Sequence, residues 1–252
     1  MNLCGNSDNM ADEKQVDLDG DGYKESVVFD QSGDGNYDTV VSDTDGDGTY
    51  DTVAMDTDSD GNIDTVGVDS TGDGNVDTVV ADTDGDGYAD FAAVDSDGDG
   101  NPDAFAYDGD GDGYADAVEY DTNGDGNIDY GVYDTDGDGY ADFAAADTDG
   151  DGDYDAFAYD SNGDGYVDFV AEDSDGDGNI DVAAADTDHD GYADTYAADS
   201  DGDGKPDTYG FDYDEDGEID EYGIDEDGDG DIDYFTDDID DDVFDDFIDD
   251  DF

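Results

Sequence analysis

The chain has 252 residues, of which 85 are Asp or Glu and only three are Lys or Arg, so its formal net charge at pH 7 is −82. Leu, Ile, Val and Phe number 39, about 15% of the residues, which is too few for a conventional hydrophobic core at this charge. This balance argues against nucleic-acid partners, which need Lys and Arg, and no stretch approaches the roughly 18 apolar residues of a membrane span.

Residues 1–16 are predicted to form a degenerate N-terminal capping repeat. Cys4 stands where the later repeats have Asp, and Asn9 stands where they have Gly. Cys4 is the only cysteine, which rules out an internal disulfide framework. We interpret it as an inert cap residue, with an intermolecular disulfide or lipid attachment as alternatives. Met1–Lys14 lacks the apolar segment of a cleavable secretion signal, so any export route is unknown.

Residues 17–237 are predicted to be an uninterrupted array of seventeen 13-residue repeats built on Asp-x-Asp-Gly-Asp-Gly-x-x-Asp. Positions 1 and 5 are Asp and position 6 is Gly in all seventeen repeats, and position 9 is Asp except for Glu25. Where position 3 is not Asp it is Asn, Ser or Thr, each of which carries an oxygen that can bind a cation. Oxygen ligands at alternate positions around a turn-forming Gly are typical of an EF-hand calcium loop. The array therefore predicts calcium binding, at roughly one ion or more per repeat.

The predicted metal ligands are the acidic and amide side chains at positions 1, 3, 5 and 9. They are Asp17, Asp30, Asp43, Asp56, Asp69, Asp82, Asp95, Asp108, Asp121, Asp134, Asp147, Asp160, Asp173, Asp186, Asp199, Asp212 and Asp225 at position 1; Asp19, Asp45, Asp58, Asp84, Asp97, Asp110, Asn123, Asp136, Asp149, Asn162, Asp175, Asp188, Asp201, Asp214 and Asp227 at position 3; Asp21, Asp34, Asp47, Asp60, Asp73, Asp86, Asp99, Asp112, Asp125, Asp138, Asp151, Asp164, Asp177, Asp190, Asp203, Asp216 and Asp229 at position 5; and Glu25, Asp38, Asp51, Asp64, Asp77, Asp90, Asp103, Asp116, Asp129, Asp142, Asp155, Asp168, Asp181, Asp194, Asp207, Asp220 and Asp233 at position 9.

Positions 8–13 of each repeat form a short apolar run that is predicted to be a β-strand, because it is β-branched and too short for a helix. From the sixth to the fourteenth repeat, position 7 is Tyr in every even repeat, so the environment recurs every 26 residues. We expect an all-β calcium-stabilised solenoid with two repeats per 26-residue coil, in which odd strands stack in parallel in one sheet and even strands in the other. An antiparallel β-ribbon with turns on both edges, or an irregular calcium-cored rod, would show the same period.

Repeat by repeat, the array over residues 17–237 resembles thrombospondin type 3 repeats, and the 26-residue coil is similar to the β-roll of repeats-in-toxin proteins. The resemblance implies an extracellular, metal-stiffened structural role. Thrombospondin repeats carry regular cysteines that this array lacks, and an EF-hand has a bidentate Glu at position 12, where only Glu119 is acidic here. We expect the Asp at position 14, which opens the next repeat, or water to complete each site. Such sites should be weak, with Kd on the order of 10⁻⁴–10⁻³ M, and empty at cytosolic calcium.

Residues 238–252 are predicted to be an acidic, aromatic capping or docking segment. Phe235, Ile239, Val243 and Phe247 recur every four residues, which suits an amphipathic helix. The segment would cap the last strand, dock onto the next copy of the chain, or serve as an uncleaved export signal.

With one His, one Cys and no Arg, the chain offers no nucleophile–base pair, so we expect no enzyme activity. The expected function is a secreted calcium-rigidified structural protein that binds copies of itself in a filament, fibre or layer. An adhesin-like binding module for glycans and an acidic calcium store or mineral nucleator are the alternatives. The 19 tyrosines are interpreted as strand and core residues, with lateral contacts or carbohydrate stacking as the other reading, and His189 as an exposed bystander.

Overall fold

The computed structural model describes residues 13–18, 20–214, 216–237 and 244, and every regular element in them is a β-strand. The strands are β1 Glu13–Val16, β2 Ser26–Phe29, β3 Thr39–Ser42, β4 Thr52–Met55, β5 Thr65–Val68, β6 Thr78–Ala81, β7 Phe91–Val94, β8 Ala104–Tyr107, β9 Ala117–Tyr120, β10 Tyr130–Tyr133, β11 Phe143–Ala146, β12 Ala156–Tyr159, β13 Phe169–Glu172, β14 Val182–Ala185, β15 Thr195–Ala198, β16 Thr208–Phe211, β17 Glu221–Ile224 and β18 Tyr234–Thr236. Cys4, most of the N-terminal repeat, Asp19 and most of the segment 238–252 lie outside the described residues.

Each strand of the array begins at position 10 of its repeat, two residues later than the sequence predicts. The strand takes positions 10–13 and the loop takes positions 1–9, as in the third repeat, whose strand is Thr52–Met55. Position 9 belongs to the turn because its N–H closes the loop: the Asp51 N–H donates to the Ser42 carbonyl at 2.8 Å. The repeating unit is thus a nine-residue loop and a four-residue strand. Loops are numbered by their repeats, so that loop 3 comprises residues 43–51 of the third repeat.

The chain forms two compact units, residues 1–127 with β1–β9 and residues 128–252 with β10–β18. Within each unit the strands pair antiparallel with their neighbours in chain order. Position 10 of one strand lies opposite position 13 of the next, so that Thr39 faces Met55 and Val40 faces Ala54. Each unit is therefore a meander whose successive loops lie on opposite edges of its sheet.

The all-β repeat fold is confirmed, and the antiparallel alternative describes its strand pairing. The expected parallel coil, with odd strands in one sheet and even strands in another, is wrong. The nine-residue loop brings its two ends within hydrogen-bonding distance, so the chain returns beside the strand it has just left. Loops on alternating edges account for the 26-residue period.

The apolar core is small and follows one rule of packing. The side chain at position 8 of a repeat lies over position 12 of the preceding strand where that residue is Gly, as at Gly67, Gly210 and Gly223, which explains why position 12 is usually a small residue. A Cβ on Gly67 would lie 2.9 Å from Val53 Cγ1 and 3.1 Å from Val76 Cγ1. In the first unit these contacts belong to a cluster around Val27, Val41 and Val53.

The larger cluster of the second unit includes a residue of the C-terminal segment. Phe244 is only 2% exposed, and its ring centroid lies 5.8 Å from that of Tyr196 and 6.4 Å from that of Tyr222. Ala184, Ala193 and Ala198 are the other buried residues of this cluster. Phe244 therefore packs on one face of the sheet across β14–β17, whereas Phe235 lies in β18.

Candidate metal-binding loops

Two residues in the left-handed region shape each loop. In the third repeat, Gly46 at position 4 has φ +79° and Gly48 at position 6 has φ +98°. Position 4 also accepts Ser59 and His189, with φ values of 64° and 62°. The φ near +98° explains why position 6 is always Gly, because a side chain there would be strained.

The backbone amides of the loop orient three of its carboxylates. Asp43 at position 1 accepts the Gly46 N–H on Oδ1 at 2.7 Å and the Gly48 N–H on Oδ2 at 3.0 Å. Asp45 at position 3 accepts the Asp47 N–H at 3.0 Å, and Asp47 at position 5 accepts the Thr49 N–H at 2.7 Å. The same pattern recurs along the array, so the sequence places these carboxylates in a fixed arrangement around the turn.

The carboxylate at position 9 is held by the residue at position 2, which sequence reasoning missed. Asp77 Oδ2 accepts the Ser70 N–H at 2.6 Å, the Ser70 hydroxyl at 2.7 Å and the Thr71 N–H at 2.9 Å. Position 2 is Ser or Thr in twelve of the seventeen repeats, which is the signal that could have identified it. Its hydroxyl fixes one carboxylate oxygen and leaves the other free to face the loop.

These bonds hold position 9 in its charged form. The pKa of Asp77 is lowered chiefly by the Ser70 hydroxyl, and burial acts against this shift. The pKa of Asp51 is lowered in the same way by Thr44, and that of Asp142 by Thr135. A charged carboxylate is the form that binds a metal.

The structure brings the predicted ligands together into compact groups. In each group, one carboxylate oxygen of every residue lies within 4.8 Å of one carboxylate oxygen of each other residue. The described residues contain fifteen such groups, five of which are named next. They are Asp17, Asp21 and Glu25; Asp30, Asp34 and Asp38; Asp43, Asp45 and Asp47; Asp56, Asp58, Asp60 and Asp64; and Asp69, Asp73 and Asp77.

Two buried oxygens test whether these groups fit a cation. Oδ1 of Asp38 and Oδ1 of Asp77 are buried and have no hydrogen-bond partner. Both residues are at position 9, both belong to the groups above, and they are only 6% and 5% exposed. A buried carboxylate oxygen without a partner is costly unless a cation compensates it. The donor set therefore fits a hard metal ion bound by oxygen.

Other carboxylates show the electrostatic cost of this crowding. The pKa of Asp214 at position 3 is raised, first by the charges of Asp216 and Asp220. The pKa of Asp136 is raised by desolvation and then by the charges of Asp138 and Asp142. In these two loops the carboxylate at position 3 is therefore destabilised by the charges of positions 5 and 9.

The loop nearest in space to a given loop lies two repeats away along the chain. The Asp43 N–H, at the start of loop 3, donates to the Glu25 carbonyl at the end of loop 1 at 2.9 Å, and this bond recurs along each unit. The predicted bridge by position 14 is wrong. That residue lies beyond a four-residue strand, about 16 Å from position 9 and on the opposite edge.

His189 also links two loops on one edge. Its Nδ1 lies 2.7 Å from Oδ1 of Asp168, 21 residues earlier, and this carboxylate raises the pKa of His189. His189 is exposed, as predicted, at 43% of its side-chain surface, but it contacts a carboxylate of the neighbouring loop instead of lying without a partner. Lys205 makes a second link, donating from Nζ to the Gly228 carbonyl.

The chain matches no protein-family model, and no curated protein or solved structure is significantly similar to it. Across the described residues the structure has no helix with the length and apolar composition that a bilayer crossing requires.

Proposed function

We propose that the protein is a non-enzymatic calcium-binding structural protein that works outside the cell. The observation that carries this proposal is the pair of buried, unpartnered oxygens at position 9, on carboxylates whose other oxygen accepts the position-3 N–H in both loops. A bound cation would be held by positions 1, 3, 5 and 9, and it would neutralise their charge. Folding and binding would then be one process.

Calcium suits these loops better than other common metals. The donors are carboxylate, amide and hydroxyl oxygens, which hard cations prefer, whereas zinc sites are usually built from Cys and His. Calcium also accepts irregular sets of six to eight oxygens, while Mg²⁺ needs a near-octahedral set. The substitutions Ser32 and Thr71 at position 3 keep an oxygen but give up a charge, which favours weak sites suited to extracellular calcium.

Self-association is part of the proposal because exposed aromatic side chains lie side by side on one face of the second unit's sheet. In the second unit an aromatic row crosses one face of β10–β13, with Tyr133 and Phe143 5.5 Å apart, Phe143 and Tyr159 4.7 Å apart, and Tyr159 and Phe169 5.9 Å apart. Tyr159 and Phe169 are 41% and 37% exposed. An apolar face of a sheet is normally covered by a second layer, and a second copy of this chain offers the matching aromatic face.

The experiment is a calcium titration followed by circular dichroism, calorimetry and sedimentation velocity on one sample, with magnesium as the control ion. We expect calcium to induce the β spectrum at roughly one ion or more per repeat, and larger assemblies to form at millimolar calcium. The matched variant is Phe143→Thr with Phe169→Thr, because Thr is the residue that Thr52 and Thr65 already provide at position 10.

This variant should fold with calcium but remain monomeric. A β spectrum that is independent of calcium would contradict the metal-binding part of the proposal. Monomers only, at every calcium concentration, would contradict the assembly part.

A further inference from the structure

The even-numbered loops carry a row of exposed tyrosines that the metal sites do not explain. In loops 6, 8, 10, 12 and 14, position 7 is Tyr88, Tyr114, Tyr140, Tyr166 and Tyr192, and these side chains are between 55% and 70% exposed. The interpretation of the tyrosines as strand and core residues is therefore wrong for this set. Within each compact unit they lie on a single edge of the sheet.

Two of these rings contact the next loop of the same edge. A Cβ on Gly165, in loop 12, would lie 3.7 Å from Cδ1 of Tyr140, and one on Gly113 would lie 2.7 Å from Cδ1 of Tyr88. The glycine leaves room for one side of each ring. The other side is turned away from that backbone.

Comparison with the opposite edge shows that the loop itself does not need tyrosine. Asn101 and Asn179, at position 7 of odd loops, donate from Nδ2 to position 5 of their own loops at 3.0 and 2.8 Å. Among the described residues, the side chains of the five tyrosines at position 7 make no hydrogen bond, and their bonds to position 5 come from the backbone N–H. Asn satisfies the loop, so a row of exposed rings points to a ligand outside the chain.

The spacing and charge of the row define the class of ligand. Loops on one edge are separated by two strands, which places successive rings about 10 Å apart. Each ring lies two residues from a carboxylate, as Tyr166 does from Asp164, so a polyanion is excluded. A linear neutral polymer with hydroxyl donors and apolar C–H faces fits, and two sugars of an extended β-1,4-linked glycan repeat at close to this spacing.

We propose that the tyrosine row is a binding platform for a neutral β-1,4-linked glycan such as cellulose or chitin. The rings stack on every second pyranose ring of the polymer, and the phenolic oxygens accept hydrogen bonds from sugar hydroxyls. The site needs only the folded loops, and it is separate from the aromatic row of the sheet face described above.

The test uses the full chain in millimolar calcium, with retention on insoluble cellulose and on chitin, and calorimetry with cellohexaose and chitohexaose. The test variant replaces Tyr140, Tyr166 and Tyr192 by Asn, the residue that Asn101 and Asn179 provide at this position of odd loops. A second variant replaces the same three by Phe, which preserves stacking. Dextran, an α-linked glucan, is the control polymer.

We expect the wild type to bind one of the two β-1,4 glycans but not dextran. The Asn variant should bind at least about tenfold more weakly, since three aromatic contacts are removed, and the Phe variant should retain most of the binding. Both variants should show the wild-type calcium-induced β spectrum, so a failure here is separable from a failure of calcium binding.

No retention on either glycan, or equal retention of the wild type and the Asn variant, would overturn the proposal. Self-association that is lost in the Asn variant, without glycan binding, would also overturn it and identify the row as a contact between copies.

Discussion

Removal of one hydroxyl at position 2 tests the link between sequence and loop geometry. In the Ser70→Ala variant, Asp77 Oδ2 loses the 2.7 Å bond from the hydroxyl but keeps the two backbone N–H bonds. Nothing else in the loop should change, because Ala fits wherever Ser does. The pKa of Asp77 should rise, since this hydroxyl is the main cause that lowers it.

The size of the effect follows from the type of bond. A hydrogen bond to a charged group contributes about 1.5–3 kcal/mol, and Asp77 is only 5% exposed, so solvent replaces the hydroxyl poorly. For a compact unit such as residues 1–127, about 4 °C of Tm corresponds to 1 kcal/mol, which gives a decrease of about 6–12 °C. Calcium binding by this loop should weaken as well, because Asp77 is less firmly oriented.

Loop 8 offers the reverse experiment. Its position 2 is Gly109, whose N–H donates to Asp116 Oδ2 at 2.6 Å without a hydroxyl beside it. Gly109→Ser should raise the Tm, and Gly109→Ala separates the gain in backbone rigidity from the gain of the hydrogen bond. A Cβ at this position would lie 3.1 Å from Asp116 Oδ2, close enough for a hydroxyl on it to reach the carboxylate.

The assay is thermal unfolding at fixed calcium, with hydrogen exchange to localise the change to loop 5. The reasoning is refuted if Ser70→Ala unfolds at the wild-type temperature and Gly109→Ser gains no more than Gly109→Ala. That result would mean that the position-2 hydroxyl is a turn residue without effect on the carboxylate.

Four further predictions concern the metal, the protons, the tail and the coupling between loops. Chelation by EGTA should abolish the β spectrum. Three charges within 4.8 Å of one another, as in loop 5, repel by about 2–3 kcal/mol even in water, whereas a whole domain is stable by only about 5–15 kcal/mol. An unchanged spectrum would contradict this prediction. In calcium, the Tm should fall as the pH drops from about 5 to 3. The carboxylates at position 9 have lowered pKa values in the folded state, so their contribution to stability is present above the unfolded pKa and is lost as the pH falls through the folded pKa. A constant Tm would show that protonation at position 3 compensates for this loss. Phe244→Ala should destabilise the second unit by about 3–5 kcal/mol in chemical unfolding, because the ring is buried between Tyr196 and Tyr222. An unchanged unfolding midpoint would show that the packing of Phe244 does not contribute to stability. Asp138→Ala should speed hydrogen exchange in loops 10 and 12 but not in loop 11, because a backbone hydrogen bond joins loop 10 to loop 12 on the same edge of the sheet. Faster exchange in loop 11 would contradict this coupling.

The sequence predicts the chemistry of the loops more closely than their arrangement. Fixed phase and invariant Gly at position 6 identify the turn, because the φ near +98° at Gly48 excludes other residues. The sequence pattern does not determine whether neighbouring strands run parallel or antiparallel. A 26-residue period arises both when odd and even strands stack in separate sheets and when they alternate in one sheet. The deciding bond, from the Asp51 N–H to the Ser42 carbonyl, joins backbone groups that carry no sequence signature.

The antiparallel meander determines which loops of this chain can be coupled in metal binding. In a parallel coil or a simple string of loops, each site would be supported by the next site along the sequence. Here Asp160 at the start of loop 12 donates its N–H to Asp142 at the end of loop 10, while loop 11 lies on the other edge of the sheet. A cation that orders loop 10 therefore stabilises loop 12 through a direct backbone bond, and it reaches loop 11 only through the strands between them. The sites of each unit form two rows, and binding should spread more readily within a row than from one row to the other.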